Sequence, residues 1–328
     1  MAKNDIVLEE QDLNDYILLT GRSNTKLAQT IADLLQKELC QPISIFADGE
    51  IRVKGIPNLR RRHVFIIQPT SPSANDHIME LLFMIDAAKR ASATEIIAVI
   101  PYFGYSRQDR KEMPRVPISA SVVAKMIEHA GADRILTLDI HSEQQEGFVR
   151  IPWDNLYGSY SLIPEIKKRS IANMVVASPD KGGVVRATAY AQRLHEAKSI
   201  AIVYKERDIN VNNQSKSLGM IGNVKGKDIL LVDDIIDTAG TIVNAAAHLR
   251  EHGAKSIRVA ATHGIFSRNA IEQINNSIID EVIITDSVKL SEEVLKSPKI
   301  TVASVAPLLA SAIKKIRTGE SLSRDLIL

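Results

Sequence analysis

Short, β-branched apolar runs alternate with helix-like segments along most of this chain. The apolar runs fall at residues 16–20, 64–67, 96–100, 135–138, 174–176, 200–203, 257–259 and 282–284. The helix-like segments fall near residues 24–38, 75–91, 119–130, 183–196, 240–252 and 268–275. This alternation is typical of βαβ units, and runs that are apolar on both faces indicate strands buried in a parallel sheet. The pattern predicts an α/β protein with mainly parallel sheets flanked by helices.

An internal similarity suggests that the chain has two related halves. Residues 128–135 (EHAGADRI) resemble residues 251–257 (EHGAKSI), and the strands that follow lead to His141 and His263. The alternative is convergence, because glycine after a helix is favoured in any αβ loop. Two halves that meet near residue 160 are the expected organisation.

Composition excludes several classes of protein. At 328 residues the chain can form two domains, and its net charge of +2 predicts no broad nucleic-acid surface. Its one cysteine, Cys40, excludes an internal disulfide and suits a reducing compartment. The sequence lacks the apolar core of a signal peptide and any membrane-length apolar run. We therefore expect a cytoplasmic protein without a membrane or nucleic-acid partner.

Residues 229–241, ILLVDDIIDTAGT, have the order of a phosphate-binding unit. An apolar run ends in Asp233 and Asp234, Asp237 follows, and the small-residue turn 238–241 precedes an alanine-rich helix. Backbone N–H groups of such a turn, at the positive end of the helix dipole, can bind an anion. The carboxylates suit ribose hydroxyls or a hydrated cation. The alternative is that Asp233 and Asp237 only solubilise a strand end and cap a helix.

Two loops of the predicted sheets carry further groups suited to phosphate or metal. Residues 177–186, ASPDKGGVVR, place Asp180 beside paired glycines that allow a ligand close to the backbone, with Arg186 early in the next helix. Residues 102–115, YFGYSRQDRKEMPR, form a long basic loop whose Arg side chains could close over a polyphosphate. The alternatives are a plain βα loop and a solvated loop that contacts nothing.

Single residues near predicted strand ends complete the set. His141 lies just past a strand's carboxyl end, where open α/β sheets place ligands, whereas we interpret His263 as structural. Lys205 and Arg207 share one face if their strand continues. Two cations beside a phosphate cradle would stabilise a phosphoryl-type transition state.

Taken together, these motifs resemble those of the ribose-phosphate pyrophosphokinase (phosphoribosyl pyrophosphate synthetase) family, of the phosphate-activated class I type. The resemblance runs from about residue 19 to residue 323. Its marks, in the family's order, are Arg107-Gln108-Asp109, Asp139-Ile140-His141, Ser178-Pro179-Asp180-x-Gly-Gly, Lys205-x-Arg207 and Asp233-Asp234-x-x-Asp237-Thr238-x-Gly240-Thr241. The segment Phe46-Ala47-Asp48-Gly49-Glu50 also resembles the family segment that reaches an adenine, typically from a neighbouring subunit.

The resemblance implies a fold and an activity. It implies phosphoribosyltransferase-like α/β domains at residues 16–158 and 159–305, after a polar lead at 1–15 and before a C-terminal helix and tail at 306–328 that can pack back on the first domain. The implied enzyme is a cytoplasmic transferase of nucleotide biosynthesis, a homo-hexamer built from dimers, with Mg²⁺ as cofactor. It moves the diphosphoryl group of ATP to the 1-hydroxyl of ribose 5-phosphate, giving AMP and 5-phosphoribosyl 1-pyrophosphate (PRPP).

The resemblance also implies roles for individual residues. Lys205 and Arg207 would stabilise the transferring group, and His141 and Asp180 would bind Mg²⁺ directly or through water. The ATP-binding residues would be Arg107 and Gln108, with Phe46, Asp48, Gly49 and Glu50 of another subunit. The residues that bind ribose 5-phosphate would be Arg207, Asp233, Asp237, Thr238, Ala239, Gly240 and Thr241. Because the sequence has no Gly-x-x-x-x-Gly-Lys-Ser/Thr loop, a P-loop kinase mechanism is not expected.

Two positions depart from the family pattern. The family usually has serines near Asn58 and Pro114, in the regulatory site where phosphate activates and ADP inhibits. Other residues still resemble that site, namely Arg60, Arg115, Ser321 and Ser323. We expect intact catalysis with altered activation by phosphate, because two hydroxyl donors are missing while the cations remain.

Two other functions fit parts of the sequence. A phosphoribosyltransferase consumes PRPP and shares the Asp-Asp-x-x-Asp-Thr-x-x-Thr loop, but the Arg107-Gln108-Asp109 motif and a two-half chain argue against it. A catalytically silent associated subunit would only bind and regulate a working synthetase. Such proteins tend to lose the cationic pair, whereas this chain keeps Lys205 and Arg207.

Overall fold

The computed structural model describes residues 16–169, 173–194, 197, 199–207 and 216–323, with side chains described except at 205–207 and 216–218. The polar lead predicted at residues 1–15 lies outside this description. The strands are β1 (Tyr16–Thr20), β2 (Leu39–Cys40), β3 (Ile43–Ile45), β4 (Ile51–Val53), β5 (His63–Ile67), β6 (Glu95–Ile100), β7 (Arg134–Leu138), β8 (Trp153–Leu156), β9 (Met174–Ser178), β10 (Ser199–Arg207), β11 (Lys216–Ile221), β12 (Asp228–Ile236), β13 (Ser256–Gly264), β14 (Glu281–Thr285) and β15 (Ile300–Ala303). The helices are α1 (Thr25–Leu35), α2 (Ala74–Arg90), α3 (Ser119–Ala130), α4 (Ser159–Lys167), α5 (Val184–Arg193), α6 (Gly240–Glu251), α7 (Ala270–Asn276), α8 (Glu292–Lys296) and α9 (Ala306–Thr318), with a 3₁₀ helix at Glu143–Phe148.

The strands form one main sheet in each half of the chain. The first sheet has the order β2-β1-β5-β6-β7-β8, and all its strands are parallel. The second has the order β11-β10-β9-β12-β13-β14-β15 and is parallel except at β11, which runs antiparallel to β10. A separate hairpin joins β3 and β4. The predicted fold class, α/β with mainly parallel sheets flanked by helices, is confirmed.

Helices cover both faces of each sheet because the central strands are apolar on both sides. In β6, five of the six residues are buried, and all five residues of β9 are buried. Helices α1 and α9 pack on one face of the first sheet, and α2 and α3 pack on the other. Helices α6 and α7 pack on one face of the second sheet, with α4 and α5 opposite. Among the helices in the described ranges, none combines the length and apolarity that crossing a membrane requires.

The C-terminal helix α9 packs on the first sheet although the preceding strands belong to the second. Leu309, Ala312 and Ile313 are buried in one cluster with Leu27 and Ile31 of α1. The chain therefore returns to its first half at the end. The domain boundaries given above stay a prediction.

Two predicted boundaries are wrong in an informative way. The helix predicted to reach residue 38 ends at Leu35, because Gln36 adopts a left-handed backbone (φ +54°). The apolar strand predicted to stop before Asp233 continues to Ile236, because it pairs with β13 as far as Gly264. Asp233 and Asp234 therefore lie inside a strand.

Candidate active site

The turn after β12 has the geometry of an anion cradle. Ala239 adopts a left-handed backbone (φ +64°), and α6 begins at the next residue, Gly240. The first N–H groups of a helix have no partner within the helix and lie at the positive end of its dipole. Thr238, Ala239 and Thr241 line a cavity of about 240 Å³ together with Asp237. This arrangement suits a phosphate group.

The basic loop of the first half reaches this cavity through Arg107. The Nη1 atom of Arg107 donates a hydrogen bond to Oδ2 of Asp237 at 2.8 Å. Burial alone would raise the pKa of Asp237, but Ser267 and Arg107 outweigh it and hold that pKa below its usual value. The contact brings a cation of the first half onto the turn that precedes α6 in the second.

His141 is held at the same cavity by contacts from both halves. Its backbone N–H donates to Oγ of Ser106 at 2.9 Å, and its Nδ1 lies 2.8 Å from Oδ2 of Asp234. The hydrogen bond with Asp234 raises the pKa of His141. Because Asp234 occupies Nδ1, the nitrogen left for a ligand is Nε2.

The two adjacent carboxylates of β12 have opposite electrostatic environments. Burial and the charge of Asp234 raise the pKa of Asp233 well above its usual value. Burial opposes ionisation of Asp234 too, but the hydrogen bond from His141 and the charge of Arg186 hold its pKa far below its usual value. Nη1 of Arg186 lies 3.5 Å from Asp234 Oδ1 and 3.8 Å from Asp233 Oδ1.

Sequence reasoning missed the part that Asp234 plays. The residue stood in the acidic motif, but only its neighbours Asp233 and Asp237 received a role. Arg186 was noted for phosphate or metal, whereas its near neighbours here are Asp233 and Asp234. A carboxylate often orients a ligating imidazole. The signal for this role of Asp234 was therefore a histidine at one strand end together with an adjacent Asp pair at another.

Asp180 lies on the exposed loop between β9 and α5. Its Oδ1 accepts a hydrogen bond from the N–H of Gly183 at 2.9 Å. A Cβ at Gly183 would lie 2.5 Å from Oγ of Ser178, so a larger residue would have to displace that hydroxyl. The close turn holds the Asp180 carboxylate at the cavity that His141 also lines.

The donor set at this cavity fits a hydrated Mg²⁺ ion. His141 and Asp180 line one cavity from opposite halves. In the ranges that the structure describes, no three His, Cys, Asp or Glu side chains are grouped as a metal cage. Mg²⁺ usually keeps several waters and takes few protein ligands together with substrate phosphates. A sparse, open pair of ligands therefore suits Mg²⁺ better than an enclosed structural ion.

The other candidate ATP-binding residues are placed outside this cavity within one chain. Gln108 accepts a hydrogen bond from the Ser119 hydroxyl at 2.7 Å at the start of α3. The segment 46–50 forms the turn between β3 and β4, where Asp48 Oδ1 accepts from the Glu50 N–H at 3.0 Å. Phe46 is 47% exposed there. None of these residues lines the cavity at Asp237.

The proposed catalytic cations Lys205 and Arg207 lie in β10, two residues apart. Their backbones pair with Leu218 and Lys216 of β11, so the strand does continue through both positions. Their side chains lie outside the described part of the chain. The role of this pair stays a prediction.

The structure does not bring all four candidate regulatory residues to the cavity that Ser323 lines. Ser321 and Ser323 lie together, with their Oγ atoms 3.1 Å apart. Ser323 lines a cavity of about 290 Å³ with Arg134 and Lys315, and neither Arg60 nor Arg115 lines it. The N–H of Arg60 instead donates to Oδ1 of Asn58 at 3.1 Å.

Comparison with known proteins places the chain in one family. A family model described as the N-terminal domain of ribose phosphate pyrophosphokinase matches residues 16–131, and one described as the phosphoribosyl synthetase-associated domain matches residues 208–326. A ribose-phosphate pyrophosphokinase of Vibrio parahaemolyticus is 48% identical over 311 residues, which cover 94% of this chain and 98% of the relative. The enzyme of that name from Chlorobaculum tepidum is 51% identical over 308 residues, 93% of each chain.

A solved structure agrees with the sequence relatives. The crystal structure of phosphoribosylpyrophosphate synthetase from Mycobacterium smegmatis superposes with a TM-score of 0.87 at 37% identity. The match covers 93% of this chain and 99% of that one. Because sequence identity, coverage and fold all agree, the chain belongs to the ribose-phosphate pyrophosphokinase family.

Proposed function

We propose that this chain transfers the diphosphoryl group of ATP to the 1-hydroxyl of ribose 5-phosphate and produces AMP and PRPP. Its relatives are named for this activity over nearly their whole length. The structural observation that carries the proposal is the contact between Arg107 and Asp237 at 2.8 Å. It joins a candidate ATP-binding loop of one half to a candidate ribose-phosphate turn of the other.

The second half holds the acceptor. The amides of residues 238–241 bind the 5-phosphate at the N-terminus of α6, where the helix dipole favours an anion. Asp233 and Asp237 face the ribose hydroxyls. Burial and the adjacent charge of Asp234 raise the pKa of Asp233, and its carboxyl oxygens can accept hydrogen bonds from hydroxyls.

The first half holds the donor. Arg107 and Gln108 bind ATP, and Phe46, Asp48, Gly49 and Glu50 of a neighbouring subunit bind its adenosine part. The 47% exposure of Phe46 and its position away from the cavity support a role across a subunit contact. A dimer-based homo-hexamer supplies that contact.

The reaction is an in-line displacement at the β-phosphorus. The 1-hydroxyl oxygen bonds to the β-phosphorus as the bond from that atom to the α–β bridging oxygen breaks. AMP leaves with the bridging oxygen, and the hydroxyl proton is released. Lys205 and Arg207 stabilise the charge of the transferring group, and alignment contributes more than a strong base would.

Mg²⁺ is the metal that the site fits. His141 would hold it through Nε2 or a bound water, and Asp180 through its carboxylate. When bound, the ion neutralises part of the triphosphate charge. Asp234 orients the imidazole of His141 for this role through the 2.8 Å hydrogen bond to Nδ1.

We also propose that phosphate and ADP control the activity, and that the protein is cytoplasmic. Arg60, Arg115, Ser321 and Ser323 would form the effector site. The Oδ1 atom of Asn58 already accepts from the Arg60 N–H at 3.1 Å, which supports a weaker response to phosphate than the family pattern implies.

The test is an assay of the purified chain with ATP, Mg²⁺ and ribose 5-phosphate and no nucleobase. We expect AMP and PRPP in equal amounts, and no AMP when ribose 5-phosphate is omitted. Consumption of PRPP only when a nucleobase is present would identify a phosphoribosyltransferase instead. Binding of ribose 5-phosphate without turnover would identify a silent subunit.

A further inference from the structure

The carboxyl ends of β7 and β13 meet and join the two halves directly behind His141. Asp139, at the end of β7, is 8% exposed. Its Oδ2 accepts a hydrogen bond from the Thr262 hydroxyl of β13 at 2.5 Å and another from the N–H of Gly158 at 2.8 Å. A buried carboxylate of the first half is thus satisfied partly by the second half.

The next residue of β13 adds a second bond across the same junction. His263 is 2% exposed, and its Nε2 lies 3.0 Å from the carbonyl oxygen of Leu138 and 3.3 Å from that of Asp139. Because a carbonyl oxygen only accepts, Nε2 carries the proton and donates. Nδ1 lies 2.8 Å from the hydroxyl of Ser287, which belongs to the second half.

The two strand ends are closely packed where they meet. A Cβ at Gly158 would lie 2.6 Å from the Thr262 side chain and 2.9 Å from Oδ2 of Asp139, so the chain passes at close contact. Asp139 itself adopts a left-handed backbone (φ +41°). A non-glycine residue keeps that conformation only where its surroundings hold it there.

The junction is connected to both sides of the active site. His141 follows Asp139 by two residues, and its ring is bonded to Asp234 of β12. Strand β12 leads into the phosphate-binding turn and pairs with β13, with Ile235 opposite His263. The strands that carry the acceptor turn therefore also hold the strand end that carries His141.

We propose that Thr262 and His263 are positioning residues that fix the first half, with its ATP-binding loop and His141, against the acceptor turn of the second. This inference rests on the proposed diphosphoryl transfer. An in-line displacement depends steeply on alignment, and a misplacement of about 1 Å can cost about 10²-fold in rate. Each substrate would still bind, because its contacts lie within one half or across a subunit contact.

The first test compares Thr262→Val with Thr262→Ser. Valine keeps the shape and removes the hydroxyl, so we expect kcat to fall about 10- to 100-fold with KM values close to wild type. Serine keeps the hydroxyl and should restore most of kcat.

The matched control is Thr20→Val. Thr20 is fully buried and donates to the Ile67 carbonyl at 2.7 Å entirely within the first half. The Thr20→Val variant should lower the thermal unfolding midpoint and leave kcat unchanged.

The second test distinguishes the hydrogen bond made by Nε2 of His263 from the one made by Nδ1. In His263→Gln the amide nitrogen can take the place of Nε2 and still donate to Leu138, whereas in His263→Asn it takes the place of Nδ1 and cannot. We expect the glutamine variant to keep clearly more kcat than the asparagine variant at a temperature where both are folded. KM for ribose 5-phosphate should stay unchanged in both.

These variants distinguish the inference from the function on which it rests. Wild-type turnover tests the function, and the ratio of variant to wild-type kcat tests the positioning. Full kcat in folded Thr262→Val, an equal loss in Thr20→Val, or no difference between the two His263 variants would overturn the inference alone. Absence of AMP formation by wild-type protein would overturn both.

Discussion

Two neighbouring residues of β12 have pKa values shifted in opposite directions, because their surroundings differ. Asp233 and Asp234 are identical in type, yet burial beside a charge raises the pKa of one while His141 and Arg186 lower the pKa of the other. The lowered pKa of Asp234 suits orientation of an imidazole, and the raised pKa of Asp233 suits the proposed contact with ribose hydroxyls. The two residues of the acidic motif are therefore suited to different roles, although they are identical in type.

At the residue scale, Lys205→Ala should separate chemistry from acceptor binding. We expect turnover to fall by at least about 10²-fold, because a cation at the transferring group acts mainly in the transition state. Affinity for ribose 5-phosphate, measured by calorimetry, should change little, since the cradle at 238–241 lies in the turn between β12 and α6, away from β10 in the chain. Lys296→Ala is the control, because Lys296 is exposed on α8 and paired only with Glu292 in the described structure. Loss of ribose 5-phosphate binding in Lys205→Ala would contradict this division of roles.

At the scale of elements, an ion pair ties the end of α4 to the second sheet. Arg169 donates to Glu281 of β14 through Nη2 at 2.5 Å and Nε at 3.1 Å, and the Thr301 hydroxyl of β15 adds a bond at 2.7 Å. Burial opposes ionisation of Glu281, but Arg169 and Thr301 outweigh it and lower the pKa of Glu281 from its usual 4.5. The pair therefore stabilises the fold only when Glu281 is ionised.

Glu281→Gln should lower the free energy of unfolding by about 1.5–3 kcal/mol at neutral pH. Because the pKa of Glu281 is lowered by folding, its contribution is complete above pH 4.5 and is lost as pH falls through the lower folded value. Urea unfolding across that range should show the difference between variant and wild type shrinking in acid. The exposed pair of Glu292 with Lys296 provides the control, Glu292→Gln, for which we expect almost no effect. A difference that persists undiminished in acid would contradict the ionic origin.

The elements also show which features the sequence could predict. Helix α3, at Ser119–Ala130, was predicted with its bounds, because its apolar spacing ends at Gly131, which adopts the left-handed backbone of a C-cap. The sequence does not predict helix α4, because Pro164 lies inside it. Strand β11 has a glycine instead of a clear alternating pattern, and the Tyr204 ring packs against Gly219, where a Cβ would lie 2.5 Å from it.

The sequence predicts several residues that line the candidate cavity, but it does not predict the contacts between them. Local motifs identified Arg107, His141 and Asp237 because each follows an apolar strand. The bond from Arg107 to Asp237 joins positions 130 residues apart, and no local pattern encodes such a distance. His263 shows the same limit, since its buried hydrogen bonds to the first half depend entirely on how the halves pack.

At the scale of the whole molecule, the segment 46–50 predicts sites shared between subunits. Glu50→Ala and Lys205→Ala should each be nearly inactive alone, because one lacks an adenosine contact and the other a catalytic cation. In hybrids formed by co-expression, about a quarter of the sites would combine an intact Lys205 with a partner's intact Glu50. Recovery of activity in the hybrids, with light scattering to show the assembly, checks this. Hybrids no more active than their parents would contradict a shared site.

Control of the activity by phosphate and ADP should differ from the family pattern. We expect weak activation by inorganic phosphate, because Asn58 and Pro114 replace hydroxyl donors while Arg60 and Arg115 keep the positive charge. A titration of initial rate against phosphate, with and without ADP, measures it. Asn58→Ser is the matched variant and should strengthen the response. Steep activation and tight ADP inhibition in wild type would contradict the expectation.

The most direct test of the central claim follows the label of γ-³²P-ATP. If the 1-hydroxyl attacks the β-phosphorus across the junction of the two halves, the diphosphoryl group moves intact. All transferred label should then appear in PRPP, with one AMP formed for each labelled product and no ADP. Label in a phosphate monoester together with ADP would show attack at the γ-phosphorus, and would contradict the account.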